Sequence, residues 1–158
     1  MKRIVVYYSQ TENTKEAAET IAKSLDCKTV RITTKKEMPK GTGGMFMIGG
    51  MQATFGMKPA INTDGIDFDE YEEIILGTPI WANKCVPAIN TFLDDERIRE
   101  KVTGAFTSSG GGDNDKCMEI LRKKLPNLKY EVALADRRQP VAAKNAEKLE
   151  KFISEMKE

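Results

Sequence analysis

Apolar residues along the chain follow two alternating patterns, one typical of strands and one typical of helices. Continuous runs rich in β-branched and aromatic side chains predict strands at residues 4–8, 28–32, 73–76, 102–107 and 130–133. Apolar residues at helical spacing predict helices at residues 13–25, 86–93, 114–125 and 145–156. Alternating strands and helices predict an α/β fold, a three-layer doubly wound sandwich with a five-stranded parallel sheet between the helices. The 158 residues show no internal repeat or linker, so we expect a single domain, 1–158.

One segment interrupts this rhythm. Residues 38–59, "MPKGTGGMFMIGGMQATFGMKP", contain five of the eight methionines and six of the twelve glycines. Glycine makes a long regular helix costly, which predicts an irregular crossover whose methionines cover the core. Methionine also adapts to varied surfaces, so the segment could instead form an apolar wall beside a ligand or a dimer contact.

Composition and charge narrow the classes of function. Hydrophobic residues make up 40% of the chain and charged residues 31%, with a formal net charge of +1. No apolar run approaches the roughly 20 residues of a membrane span. Met1-Lys2-Arg3 leads straight into a strand without a cleavage site, so we expect a cytoplasmic protein. Basic residues are not interleaved with aromatic ones, which argues against nucleic acid as a partner.

Cysteine and histidine usage limits the chemistry. Cys27, Cys85 and Cys117 are odd in number and have no C-x-x-C spacing, so we expect neither a disulfide nor a zinc site. The expected role of each is a small buried hydrophobic residue rather than a reactive thiol. The chain has no histidine, the commonest general base and metal ligand. We therefore predict no metal site and no catalytic side chain.

The turn after the first predicted strand is crowded with neutral hydrogen-bonding groups. "SQTENT", residues 9–14, holds three hydroxyls and two amides but no lysine or arginine. Free N–H groups and the dipole of the following helix favour an anion here, and the hydroxyls could complete a phosphate site. Helix capping by Thr11 or Asn13 is the simpler alternative. G-x-x-x-x-G-K-[ST] and G-x-G-x-x-G are both absent, which disfavours a nucleoside triphosphate or NAD and leaves a phosphate monoester.

Two more strand-end loops are expected at the same edge of the sheet, where open parallel sheets bind ligands. "GTPIWANKCVPAI", residues 77–89, contains Trp81, the only tryptophan, which could pack against the core or stack on a planar ligand. "TSSGGGDND", residues 107–115, has three consecutive glycines, which let a backbone approach a ligand closely.

Together these loops resemble the FMN-binding loops of the flavodoxin family. The resemblance rests on Ser9-x-Thr11-x-Asn13-Thr14, Gly77-Thr78-Pro79-Ile80-Trp81-Ala82 and Thr107-Ser108-Ser109-Gly110-Gly111-Gly112. It spans nearly the whole chain and is closest to short-chain flavodoxins. It implies a sheet of order 2-1-3-4-5 with FMN at its edge.

The resemblance also implies which residues bind the cofactor. For the phosphate they are Ser9, Gln10, Thr11, Asn13 and Thr14. For the two sides of the isoalloxazine they are Thr78, Pro79, Ile80, Trp81, Ala82 and Asn83, and Ser108, Ser109, Gly110, Gly111 and Gly112. The family usually has glycine where Glu12 stands, so we expect a backbone that suits an L-residue there and a carboxylate that points into solvent.

Two functions are compatible with a bound flavin. The first is an electron carrier that shuttles electrons between redox partners through non-covalently bound FMN. The second is an NAD(P)H-dependent FMN reductase for quinones or similar acceptors. The near-neutral charge favours the reductase, and the short chain favours the carrier. The expected partners are redox proteins or small-molecule acceptors, without nucleic acid or membrane, and the expected state is a monomer or weak homodimer.

Overall fold

The computed structural model describes residues 1–35, 58–113 and 115–158. Its sheet contains β1 (Arg3–Tyr8), β2 (Lys28–Thr34), β3 (Ile61–Asn62), β4 (Glu73–Trp81), β5 (Lys84–Cys85), β6 (Val102–Ser109) and β7 (Tyr130–Ala135). The strands are ordered β3-β2-β1-β4-β6-β7, and β5 pairs with β4. The five long strands are parallel, so their order is 2-1-3-4-5 as predicted.

The predicted count of five strands is too low. β3 pairs antiparallel with β2, and β5 pairs antiparallel with β4. Each of these strands is two residues long, which is too short to leave a periodic signal in the sequence.

Helices cover both faces of the sheet. They are α1 (Glu12–Ser24), α2 (Pro87–Phe92), α3 (Glu96–Lys101), α4 (Asp115–Lys124) and α5 (Asn145–Lys157), with 3₁₀ turns at Phe68–Glu70 and Pro140–Lys144. One core cluster packs α1 and α5 on the sheet, and the other packs α2 and α4 on the opposite face. This confirms the three-layer α/β sandwich.

Strand β1, which lies between β2 and β4, shows why the sheet is buried on both sides. Ile4 and Val6 belong to the core under α2 and α4, whereas Val5 belongs to the core under α1 and α5. All three side chains are fully buried. Alternate residues of a strand point to opposite faces, so a continuous apolar run fills both cores at once.

β4 extends further than the sequence predicts. Gly77, Thr78 and Pro79 were expected to end it, but the strand continues to Trp81. Its ladder with β1 ends at the Tyr7–Gly77 pair, while the ladder with β6 continues to Pro79. Pro79 thus has a strand neighbour on one side, a position at which proline is tolerated.

The expectation that the cysteines form no disulfide is wrong. Cys85 and Cys117 are bonded to each other, with their Cα atoms 5.4 Å apart. Cys27 is free and half-buried. The spacing of cysteines in the sequence could not reveal this pair, because a hairpin and a helix start bring the two together in space.

Some expectations remain untested. Most of the methionine- and glycine-rich segment 38–59 lies outside the described residues. The single domain, 1–158, also stays a prediction. In the part of the chain that the structure describes, no helix has the length and apolar character needed to cross a membrane.

Candidate functional site

The parallel register brings the three loops to one edge of the sheet. Thr78 pairs with Thr107, and Ser109 pairs with Ala135. The Thr14 and Ser108 hydroxyls, 2.7 Å apart, join the first loop to the third in a buried hydrogen bond. The rings of Tyr8 and Trp81 meet edge to face at 5.8 Å, which joins the end of β1, just before the first loop, to the second loop. The edge therefore presents one continuous surface.

The first turn leaves the start of α1 open. Thr11 is the N-cap residue, but its side chain makes no capping hydrogen bond with any described residue. Instead its hydroxyl accepts a hydrogen bond from the Asn13 amide at 3.4 Å. Ser9, which is almost fully buried, donates its hydroxyl to the carbonyl of Thr11. Capping thus does not explain these polar groups, and the helix N–H groups remain available to an anion.

Gln10 bonds to the end of β1 rather than to the helix. Its amide donates to the Tyr8 hydroxyl at 2.9 Å. Burial raises the pKa of Tyr8, and this hydrogen bond from Gln10 only partly opposes the shift. Burial likewise raises the pKa of Tyr7. Both phenols therefore stay neutral at physiological pH.

The Glu12 side chain points into solvent, as expected from its charge. It is the first residue of α1, where an L-residue adopts helical backbone angles without strain. Its side chain is 55% exposed and forms an ion pair with Lys15 at 3.4 Å. The one carboxylate of the turn is thus solvated and paired.

Two groups beside the turn were missed in the sequence. Arg31 of β2 donates from its guanidinium to the Ser9 carbonyl. Asn13 accepts a hydrogen bond from the backbone N–H of Arg137 at 3.2 Å. The only signal for Arg31 was its strand position, since β2 pairs in parallel with β1 and places Arg31 opposite Tyr7. The turn itself has no cation, but the fold supplies one.

The second loop is a tight hairpin. Trp81 pairs with Lys84, and between them Ala82 and Asn83 have φ angles of 49° and 62°. Two consecutive positive φ angles define a type I′ turn, which suits Asn well and Ala poorly. Trp81 is half-buried, and Ala82 and Asn83 are exposed. Backbone strain of this kind is often found at functional sites.

The other residues predicted for this loop lie deeper. The Thr78 hydroxyl is buried and donates to the Pro79 carbonyl at 2.7 Å. It also accepts from the N–H of Val86 at 3.5 Å. Pro79 and Ile80 are half-buried. Thr78 therefore holds the base of the hairpin, while the hairpin tip is open to a ligand.

The third loop combines open space with unused polar atoms. A Cβ atom built on Gly110 or Gly111 would have no heavy atom of the described residues within 4 Å, and Gly112 has a φ of 78°, a conformation that favours glycine. The hydroxyls of Thr107 and Ser109 are buried without a hydrogen-bond partner in the described part of the chain. Such groups are costly unless something satisfies them. The edge therefore offers unused polar atoms beside exposed glycine backbone, and these residues fit FMN.

The comparisons with known proteins agree with this architecture. The family model described as flavodoxin matches residues 48–152. Among curated proteins, none matches the sequence at a significant level.

Solved structures share the fold across most of the chain. A candidate flavoprotein from Bacteroides eggerthii is 24% identical with a TM-score of 0.70, covering 96% of this chain and 97% of its own. A Lactobacillus acidophilus flavoprotein in complex with FMN is 21% identical with a TM-score of 0.67, covering 93% and 97%. A flavodoxin from the domain Archaea is 18% identical with a TM-score of 0.57, covering 100% of both chains. At these identities the likeness shows the fold alone.

Proposed function

The chain belongs to the flavodoxin family, and we propose on that premise that it binds FMN non-covalently and carries electrons between redox partners. One observation supports this most. At the edge that joins the three loops, the buried hydroxyls of Thr107 and Ser109 have no hydrogen-bond partner among the described residues, and none of these residues fills the space at Gly110 and Gly111. FMN, when bound, accepts and donates one or two electrons.

Each loop would have a separate task in holding the cofactor. The uncapped start of α1 would bind the phosphate, with Ser9, Gln10, Thr11, Asn13 and Thr14 around it. The hairpin would border one side of the isoalloxazine through Thr78, Pro79, Ile80, Trp81, Ala82 and Asn83. The glycine loop, Ser108 to Gly112, would border the other side, and Thr107 would add a polar group that the sequence-based prediction did not include.

The charges around the turn are compatible with a dianionic phosphate. The α1 dipole contributes a partial positive charge at its N-terminus. Arg31 adds a full positive charge at the Ser9 carbonyl, and Lys15 pairs with Glu12. The chain therefore compensates for Glu12, although the turn itself has no basic residue.

The direct test is spectroscopic. The purified protein, or apoprotein mixed with FMN, should show the visible absorption of an oxidised flavin and quench flavin fluorescence with a one-to-one endpoint. Riboflavin should bind more weakly, because it lacks the phosphate. A protein that stays colourless and takes up no FMN would contradict the proposal.

Thr11→Asp separates phosphate binding from folding. Aspartate is a good N-cap residue, so the variant should be at least as stable as the wild type. Its carboxylate should take up the free N–H groups and repel phosphate, weakening FMN binding by about 100-fold or more. Thr20→Asp, on the exposed side of the same helix, is the matched control and should leave FMN affinity unchanged. Equal affinities for both variants would place the phosphate elsewhere.

The NAD(P)H-dependent reductase is the second candidate. The net charge of +1 favours it, because a carrier that docks on basic partners is expected to be acidic. Anaerobic addition of NADH or NADPH alone distinguishes the two. Rapid bleaching of the flavin would identify a reductase, whereas a flavin that bleaches only with a partner reductase would identify a carrier.

The cellular setting is also a proposal. We expect a cytoplasmic protein that meets redox proteins or small acceptors, and light scattering should find a monomer or weak homodimer. Light scattering that gives a tight dimer or a larger species at micromolar concentration would contradict this expectation.

A further inference from the structure

A disulfide joins the second loop to the helix that follows the third loop. Cys85 lies in β5, directly after the Ala82–Asn83 hairpin turn, and Cys117 lies in the first turn of α4, just after the glycine loop. Their Cα atoms are 5.4 Å apart, inside the range of about 4.4–6.8 Å that disulfides require. The two residues are 32 positions apart in sequence.

The bond lies beyond the end of the strand ladder. β4 and β6 pair up to Pro79 and Ser108, and the hairpin and the start of α4 follow after this last pair. Cys85 and Cys117 both belong to the core cluster on the α2 and α4 face. The disulfide therefore ties the base of the hairpin, where Cys85 pairs with Ile80, to the start of α4 beyond the last β4–β6 pair.

We propose that the Cys85–Cys117 pair is a reversible redox site that controls FMN binding. In the disulfide form the hairpin and the glycine loop keep the spacing that fits the flavin; in the dithiol form they separate and FMN affinity falls. Reduction requires a dithiol reductant, which supplies two electrons, breaks the S–S bond and itself becomes a disulfide, while each protein sulfur takes up one proton. A disulfide oxidant reverses the step. This inference rests on the proposed binding of FMN.

Burial makes the linkage reciprocal. Cys85 and Cys117 are 3% and 0% exposed, so a reductant can attack only after the hairpin opens. If the disulfide raises FMN affinity by some factor, bound FMN must make the bond harder to reduce by the same factor. FMN should therefore protect the bond from reduction. The third cysteine, Cys27, takes no part, because it lies before β2 at the other edge of the sheet.

Thiol counting tests the bond itself. Wild-type protein denatured without reductant should take up one alkyl group from iodoacetamide, and three after treatment with dithiothreitol. The Cys27→Ala variant should take up no alkyl group without reductant and two after treatment with dithiothreitol. Three alkyl groups without reductant would overturn the proposal, because the cysteines would then be free.

FMN titration tests whether the disulfide controls FMN binding. In the wild type and in Cys27→Ala, dithiothreitol should raise the FMN Kd by about tenfold, a typical size for coupling between two sites. The Cys85→Ala/Cys117→Ala variant should show the weak Kd with and without dithiothreitol, with unchanged far-UV circular dichroism as the check on folding. An excess of FMN should slow reduction of the wild-type bond. FMN that binds equally well before and after reduction would overturn this inference alone, whereas no FMN binding in any state would overturn the proposed function as well.

Discussion

Gly77 carries the tightest steric constraint of the site edge. A Cβ atom at this position would overlap the ring of Phe106, which is fully buried. Gly77→Ala should therefore lower the free energy of unfolding by about 2–3 kcal/mol, as overpacked cores do. Urea denaturation of the apoprotein measures this loss.

Gly110→Ala is the matched control for Gly77→Ala. The added methyl group meets no heavy atom within 4 Å in the part of the chain that the structure describes, so the unfolding free energy should stay within about 0.5 kcal/mol of the wild type. If FMN fills that space, the same variant should bind FMN more weakly. An equal loss of stability in both variants would contradict the steric explanation.

Arg31 should affect FMN and riboflavin differently. Its guanidinium is exposed and bonded to the Ser9 carbonyl, so we assign it about 1 kcal/mol of phosphate binding, or roughly fivefold in affinity. Arg31→Gln should raise the FMN Kd by this factor at low salt and leave riboflavin binding unchanged. Arg97→Gln, at the opposite edge of the sheet, should change the Kd of neither FMN nor riboflavin. A loss that is equal for both ligands would show that Arg31 only shapes the turn.

At the scale of elements, the turn after β7 is tied to the turn at residues 9–14. Asp136 accepts hydrogen bonds from the guanidinium of Arg138 at 2.7 and 3.0 Å and from its N–H at 2.9 Å. The Arg138 guanidinium is the main cause of a pKa for Asp136 that lies well below its usual value of 3.8. The N–H of the next residue, Arg137, donates a hydrogen bond to the Asn13 side chain in the turn at residues 9–14. The charge of Asp136 thus supports the site from the neighbouring loop.

This pKa predicts an acid-dependent stability. A carboxylate whose pKa is lower in the folded than in the unfolded state stabilises the fold above the unfolded value, and this contribution is lost as the pH falls towards the folded value. Asp136→Asn should cost about 1 kcal/mol at pH 7, and the difference from the wild type should shrink below about pH 4. Thermal unfolding at several pH values measures it. A difference that does not change down to pH 2 would contradict the assignment.

The elements show how far sequence patterns reach. The five long strands and the helices around α1, α4 and α5 were predictable, because each buries enough apolar residues to leave a periodic signal. The β4–β5 hairpin was not, because Gly77 and Pro79 resemble a strand end and Ala82–Asn83 is an unusual pair for a type I′ turn. The disulfide was not predictable either, because it is this hairpin that brings Cys85 close to Cys117.

The positions of site residues were predictable to a similar extent. The three loops were expected at one edge, because parallel strands place their carboxyl ends together. Arg31 and Asp136 were not expected, since they come from a strand and a loop far away in sequence and carry no motif. The binding role of the predicted residues stays a prediction.

At the scale of the whole molecule, a buried ionic cluster and the proposed binding site lie at opposite ends of the strands. Glu73 starts β4 at the edge opposite the loops, about 17 Å along the strand from Thr78. Its nearly buried carboxylate forms an ion pair with Arg3 at 2.6 Å and accepts a hydrogen bond from Thr103 at 2.5 Å. This cluster joins the amino ends of three neighbouring strands.

Glu73→Gln should therefore weaken the fold and not the site. Loss of one partner from a mostly buried pair should lower the unfolding free energy by about 2 kcal/mol. The FMN Kd, measured where the variant is folded, should equal that of the wild type. Glu72→Gln, at an exposed neighbouring side chain, should change stability by less than about 0.5 kcal/mol. A change in FMN Kd for Glu73→Gln would show that the two edges are coupled.

The contact between Tyr8 and Trp81 gives the protein an optical reporter in the right place. Trp81 is the only tryptophan of the chain, and its ring lies at the edge where the loops meet. Ultraviolet-excited emission selective for tryptophan therefore comes from this edge and from nowhere else. Changes in its intensity and wavelength will follow the opening of the hairpin or the arrival of a ligand without a label, and comparison with circular dichroism will tell local opening from unfolding of the sheet.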